Sequence, residues 1–207
     1  MTSADIFEGI ASISQLSMAI AVAFGVYVAW RQLHSWRDEL LLRKQADVAE
    51  ELLASALTVS DELKSLRSPF DSIPKDEVGN KGFLYRQRYE RFIDKAEIFV
   101  RLRSAQVRAE ALLDIKEISQ AVDTLFKVRQ RCLIALDMLF DRAERGESSY
   151  EDDDDRKLYM KLRNDMYGIY TEKYDPLGME QLEAISQLRQ LLKPAIQYQG
   201  LKKIAEK

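Results

Sequence analysis

Residues 9–30 read GIASISQLSMAIAVAFGVYVAW, a stretch without a charged side chain that ends at Arg31. As an α-helix, a segment of this length spans about 33 Å, and the hydrocarbon core of a bilayer is about 30 Å thick. The residues that follow are rich in charge and show helical periodicity. Gly9–Trp30 therefore predicts a transmembrane helix, and the rest of the chain predicts a helical domain that faces water.

Two alternatives fit Gly9–Trp30 less well. A buried helix of a soluble bundle usually carries a charge well before a stretch of this length ends, because one of its faces meets water. A cleaved signal peptide needs basic residues ahead of its apolar core, and no Lys or Arg precedes residue 9. Tyr27 and Trp30 also lie where an interfacial aromatic belt is expected. The membrane interpretation is the one that the pattern favours.

The charges on either side of the stretch predict its orientation. Only Asp5 and Glu8 precede it, whereas a basic cluster follows it, made of Arg31, Arg37, Arg43 and Lys44. By the positive-inside rule, residues 1–8 are a short extracytoplasmic N-terminus and the C-terminal domain is cytoplasmic. The basic cluster is also suited to contacts with anionic lipid headgroups.

Composition limits the kind of domain that follows the membrane segment. About 170 residues remain, enough for one domain with its own core. Charged residues make up 31% of the chain and its net charge is −3, so no nucleic-acid partner is expected. The single cysteine, Cys132, allows no intrachain disulfide, as expected in a reducing cytoplasm.

The pattern after residue 30 is helical nearly throughout. A juxtamembrane helix over 31–67 is expected to continue the membrane helix, with apolar residues mostly three or four apart, until Ser68-Pro69 stops it. Residues 68–82 read as a loop. Residues 83–145 form either one long helix or a pair with a kink or break near Ser104–Leu113.

The last third of the chain begins with an acidic linker over 146–155. C-terminal helices are expected over 156–200, the first reaching Tyr174-Asp175-Pro176 and the last bent or ended by Pro194. No stretch alternates with a period of two between hairpin turns, so no sheet is assigned. The predicted fold is all-α: one N-terminal transmembrane helix that continues into a cytoplasmic antiparallel helical bundle of long helices, with coiled-coil-like character.

Small side chains recur at every fourth position within the predicted membrane helix, at Ser17, Ala21, Gly25 and Ala29. Membrane helices associate through such small-residue faces because their backbones approach closely, and the polar side chains of Ser14 and Gln15 would add hydrogen bonds between helices. Alanine and glycine are common in membrane helices, so specific self-association and a plain anchor both remain open. A homo-oligomer or a complex with a protein partner is the expected assembly.

Residues with catalytic chemistry are sparse. His34 is the only histidine and lies beside the membrane segment, where an interfacial side chain is the simpler interpretation, and Cys132 lies on an apolar stripe typical of a buried thiol. The acidic residues 151–155 lack the spacing of a calcium loop and are better interpreted as a solvated linker at a helix N-terminus, with cation binding left open. No catalytic residue, cofactor, metal or small-molecule substrate is predicted, and the protein is not expected to be an enzyme.

The block Trp30–Phe70, WRQLHSWRDELLLRKQADVAEELLASALTVSDELKSLRSPF, resembles a group of uncharacterised bacterial single-pass inner-membrane proteins. These have an N-terminal membrane helix, a helical extension bearing Trp and Arg, and an Arg-Ser-Pro-Phe-type stop. The pieces AEIFVRL at 96–102 and LLKPAI at 191–196 are similar too. The resemblance implies a location in the bacterial inner membrane and carries no activity.

Three functional hypotheses follow. The first is a membrane-anchored scaffold or adaptor that self-associates or docks a cytoplasmic partner. The second is an oligomeric membrane effector, a pore or membrane-disrupting factor in a bacterial stress or phage-defence response, in which Ser14, Gln15 and Ser17 line a polar seam between helices. The third is an enzyme with facing carboxylates in the bundle, which lacks the histidines of helical di-metal sites.

Overall fold

A computed structural model describes the backbone of residues 3–80, 82–146, 150–171 and 173–205; the side chains of residues 3–17, 19 and 198–205 are outside the description. Within this part of the chain there are six α-helices, one short 3-10 helix and no strand. The α-helices are α1 (Ser3–Leu66), α2 (Phe83–Asp94), α3 (Ala96–Leu113), α4 (Lys116–Glu144), α5 (Asp153–Met166) and α6 (Pro176–Ala205). The 3-10 helix is Lys75–Glu77. The predicted all-α class is confirmed.

Helix α1 is continuous over 64 residues because no proline or other strong breaker interrupts it. It ends at Leu66, and the amide of Arg67 still donates to the carbonyl of Leu63. Ser68-Pro69 follows, where proline disfavours helical geometry in the residue before it. The helix thus includes both the predicted membrane segment and the predicted juxtamembrane helix.

The segment predicted as one or two helices contains three. Lys95 separates α2 from α3, and the second break falls at Asp114 and Ile115, just after the predicted position. Asp114 has a left-handed backbone with φ of 51°, and Ile115 is extended. A left-handed residue closes the C-terminus of a helix, and Asp tolerates this conformation better than most residues.

The C-terminal helices differ from the expected bounds. Helix α5 begins at Asp153, inside the predicted acidic linker, because the Asp152 side chain caps its N-terminus by accepting from the amide of Asp155. It ends at Met166, well before Tyr174. Helix α6 starts at Pro176, a favoured first position, and continues through Pro194 without the expected stop.

The chain divides into two compact units, Met1–Lys44 and Gln45–Lys207. In the second unit α4 packs against α2, α3, α5 and α6 and carries a buried stripe that includes Ile118, Leu125, Cys132 and Leu139. The end of α1 contributes a second stripe with helical spacing: Ala46, Ala49, Leu52, Ala56, Val59, Leu63 and Leu66. These stripes form one core, as expected for a helical bundle.

Within the described residues, no helix contains a segment long and apolar enough to cross a membrane. The predicted span Gly9–Trp30 begins among residues whose backbone the structure describes but whose side chains it does not. The membrane part of the predicted fold is therefore not confirmed and remains a proposal.

Candidate functional site

Large apolar side chains on the first unit's part of α1 are exposed to solvent. Met18 is 68% exposed, Phe24 67%, Trp30 60% and Trp36 61%. Other exposed apolar side chains in this part of α1 are Ile20, Val22, Val26, Tyr27, Leu33 and Leu41. Successive residues turn by about 100° around a helix, so these positions surround the axis instead of forming one stripe. We call these residues the apolar surface of α1. From Gly9 to Trp30 the helix carries no charged side chain on any side, which is typical of a helix enclosed by protein or lipid, whereas Leu33, Trp36 and Leu41 lie among charged residues.

The predicted small-residue face lies on the apolar surface. Ala21, Gly25 and Ala29 are exposed, and a Cβ atom at Gly25 would have no neighbour within 4 Å. Their spacing of four residues places them on one side of α1. The side chains of Ser14, Gln15 and Ser17 lie outside the described residues, so the hydrogen-bonding seam of the pore hypothesis stays a prediction.

The predicted basic cluster follows directly on α1. Arg31, Arg37, Arg43 and Lys44 are all exposed. The guanidinium of Arg43 lies 3.6 Å from the carboxylate of Glu39, an exposed pair of the kind that contributes little to stability. His34 packs edge-on against Trp30, with 4.5 Å between ring centroids. The interfacial position expected for His34 stays a prediction.

Sequence reasoning missed a buried ion pair that joins two chain reversals. The guanidinium of Arg67, just after α1, donates to the carboxylate of Asp175, just before α6, at 2.6 Å, and both side chains are fully buried. Arg67 also donates to the carbonyls of Asn164 and Asp165 at the end of α5. The pair therefore ties the end of α1 to the connection between α5 and α6.

The carboxylate of Asp175 is saturated with donors. One oxygen accepts from Arg67 and from the amide of Gly178, and the other accepts from the amides of Ile169 and Tyr170 at 3.0 and 2.9 Å. Burial acts to raise the pKa of Asp175, but the hydrogen bonds from Arg67 and the amides outweigh it and leave the pKa lowered. The group is thus held as a carboxylate that caps α6 and shapes the preceding loop.

A second buried arginine fixes the connection between α1 and α2. Arg88 on α2 forms an ion pair with Asp71 and donates to the backbone carbonyls of Leu66 and Ser68. Its guanidinium also stacks over the ring of Tyr167, 4.7 Å from the centroid. Arg91 pairs with the other oxygen of Asp71 at 2.6 Å. Arg88 thus satisfies backbone carbonyls at and just after the end of α1, and Arg67 satisfies those at the end of α5.

Cys132 lies within this buried region. Its side chain is fully buried on α4 and its thiol donates to the carbonyl of Asp165 at 3.3 Å. Burial raises the pKa of the Cys132 thiol to about 12. A protonated, inaccessible thiol is a poor nucleophile, so the structure gives this residue a packing role.

Three of the acidic residues 151–155 contact basic partners. Asp155 pairs with Arg142 through two hydrogen bonds of 2.6 and 2.8 Å, and Asp153 and Asp154 contact Lys157. The hydrogen bonds from Arg142 lower the pKa of Asp155. No group of three or more potential metal ligands occurs in the described part of the chain. Asp152 caps α5, so capping and ion pairing together engage Asp152, Asp153, Asp154 and Asp155.

Two local signals pointed towards the buried ion pair. Arg67-Ser68-Pro69 ends α1, and Tyr174-Asp175-Pro176 precedes α6. An Asp followed by Pro is typical of an N-cap and first helical position, so the capping role of Asp175 was open to sequence reasoning. Its pairing with Arg67 was not, because the two residues are far apart along the chain.

Comparison with protein-family models, curated proteins and solved structures gave no match to this chain. The resemblance to bacterial single-pass inner-membrane proteins therefore stays a prediction.

Proposed function

We propose that the protein is a membrane-anchored helical scaffold that self-associates through α1. Residues 9–30 are the membrane anchor in this proposal, and α1 continues from the anchor into a cytoplasmic antiparallel bundle. The observation that carries the proposal is the apolar surface of α1, where residues such as Phe24 and Trp30 are more than half exposed. Lipid surrounding residues 9–30 would remove the part of that surface up to Trp30 from water.

The basic cluster supports the orientation of the anchor. Arg31 and Arg37 are exposed directly after the uncharged residues, at the position expected for contact with lipid phosphates. Trp30 and Tyr27 precede them, as expected of an interfacial belt. The proposed location is the bacterial inner membrane, with residues 1–8 outside.

Self-association is supported by the small-residue face. Open space around Gly25 leaves room for a second helix backbone to approach Ala21, Gly25 and Ala29. The partner in this proposal is a second copy of the chain, because a small-residue face is complementary to itself across a two-fold axis. Docking of a cytoplasmic protein on the bundle would add the adaptor role.

Membrane anchoring is tested by alkaline carbonate washing of membranes that contain the full chain. The wild-type protein should remain in the pellet and be released only by detergent. Ile20→Asp/Val22→Asp should shift the protein into the wash, because each charge near the centre of a membrane helix costs about 2.5–3.5 kcal/mol. The matched control Leu40→Asp/Leu41→Asp, outside the uncharged residues, should stay in the pellet. Release of the wild-type protein by carbonate would overturn the proposal.

A further inference from the structure

A concave surface lies between α4, α5 and the start of α6, with a volume of about 620 Å³. Most of its lining comes from one face of α5, with positions three or four residues apart: Asp153, Arg156, Lys157, Met160, Lys161 and Asn164. Arg131 on α4 and Lys173 before α6 complete its basic lining. We call this surface the basic cleft.

Cationic side chains outnumber carboxylates in the basic cleft, five to two. Two of the five are already neutralised within the protein. Arg131 lies between Asp165, at 2.7 Å, and Glu180, at 3.5 Å. Lys157 contacts Asp153 at 2.9 Å and also Asp154. These pairs bring four carboxylates to the five cations of the cleft and its rim, and they leave Arg156, Lys161 and Lys173 without a carboxylate of their own.

Arg156, Lys161 and Lys173 are exposed and form no ion pair with the described residues. Only Lys173 has a further contact, its ammonium lying 5.0 Å from the ring centroid of Tyr174. Like charges gathered on a concave surface repel each other and raise the local concentration of anions. Arg156, Lys161 and Lys173 are thus accessible to a bound anion.

We propose that the basic cleft binds a ligand that carries phosphate groups. A guanidinium binds phosphate through two parallel hydrogen bonds, and lysines add point charges, so Arg156 with Lys161 and Lys173 provide the donors that a pyrophosphate group requires. The volume is in the range of small-molecule sites. Met160 and Pro176 provide apolar contacts beside the cations. Phosphate binding by the cleft does not depend on the proposed membrane anchor, but the comparison of lipid discs in its test does.

The test uses the full chain in uncharged detergent and isothermal titration with inorganic pyrophosphate. Saturable binding is expected, and Arg156→Gln/Lys161→Gln should weaken it at least about tenfold, as loss of charge-assisted hydrogen bonds does. Lys173→Gln, in the loop, should weaken it independently. The matched control is Arg189→Gln/Lys193→Gln, two exposed cations of α6 that do not line the cleft. Circular dichroism melting checks that each variant folds.

A second arm distinguishes a free phosphate compound from a lipid headgroup. The same titration is performed in nanodiscs of phosphatidylcholine alone and with phosphatidylglycerol. A weaker pyrophosphate affinity in the anionic discs, lost in Arg156→Gln/Lys161→Gln, would identify headgroups as competitors for the cleft. Equal affinity in both discs would identify a free phosphate compound. No saturable binding, or the same loss in the control as in the cleft variants, would overturn the proposal.

Discussion

At the scale of single residues, two buried arginines control the ends of the helices. Arg67 and Arg88 each donate to backbone carbonyls and to a carboxylate. Each arginine therefore stabilises the connection between two helices. Buried charges are costly to leave unpaired, which makes such sites sensitive to the loss of either member. One Nη of Arg67 is already buried without a hydrogen bond among the described residues, so the site has no spare acceptor.

Removing one member of the buried pair should destabilise the protein strongly. Asp175→Asn leaves Arg67 as a buried charge without its counter-charge, and we expect a loss of about 3–5 kcal/mol in the free energy of unfolding. The control is Glu97→Gln, which breaks the exposed pair of Arg101 and Glu97 and should cost about 0–1 kcal/mol. Urea unfolding of the detergent-solubilised chain measures both, and equal losses would contradict the role of the buried pair.

Because the pKa of Asp175 is lowered by folding, we expect the free energy of unfolding to depend on pH. The pKa of Asp175 is lower in the folded chain than the value of about 3.9 expected in the unfolded chain. Its contribution is therefore present above about pH 4, and it is lost as pH falls towards the folded pKa, because the unfolded chain binds the proton first.

Urea unfolding at intervals between about pH 6 and about pH 3 measures this effect. The free energy difference between the wild-type protein and Asp175→Asn should shrink as the pH falls. A difference that stays constant over this range would show that the Asp175 carboxylate does not titrate as described.

At the scale of secondary structure, the helices were more predictable than their ends. The stop of α1 was predictable because Ser68-Pro69 acts locally. The break at Asp114 was not placed correctly, since it depends on one left-handed residue that Asp tolerates but does not require. Pro194 was expected to end or bend α6, and the helix does not end there.

Because Asp114 lies at a helix break, replacing it with Ala should change the free energy of unfolding in the opposite direction from the same replacement inside a helix. Asp114→Ala should lower the free energy of unfolding by about 1 kcal/mol, because Ala disfavours the left-handed conformation more than Asp does. Asp137→Ala, at an exposed position inside α4, should raise it by about 0.5 kcal/mol, because Ala is the better helix former. Asp114→Gly should keep or raise stability. Urea unfolding reports all three, and a stabilising Asp114→Ala would contradict the assigned break.

At the scale of the whole molecule, the bundle buries its apolar side chains, whereas the apolar surface of α1 leaves them exposed. In Gln45–Lys207 the apolar stripes of the helices bury one another in a common core. Residues such as Met18 and Phe24 have no such cover from the described chain. The helical class was predictable from the sequence because it rests on local periodicity and composition. The membrane helix over residues 9–30 was inferred from the same kind of local pattern and stays a prediction. The basic cleft was missed, since it needs α4, α5 and the following loop brought together.

Mass measurement of the full chain in detergent tests the central proposal, self-association through α1, most directly. The wild-type protein should be a dimer or larger oligomer. Gly25→Leu should convert it to a monomer, because a large side chain prevents close approach of two backbones. Ala23→Leu, an exposed small residue about 160° away from Gly25 around the helix, is the control and should leave the mass unchanged. A wild-type monomer at every protein concentration, or a Gly25→Leu protein with the wild-type mass, would contradict the account.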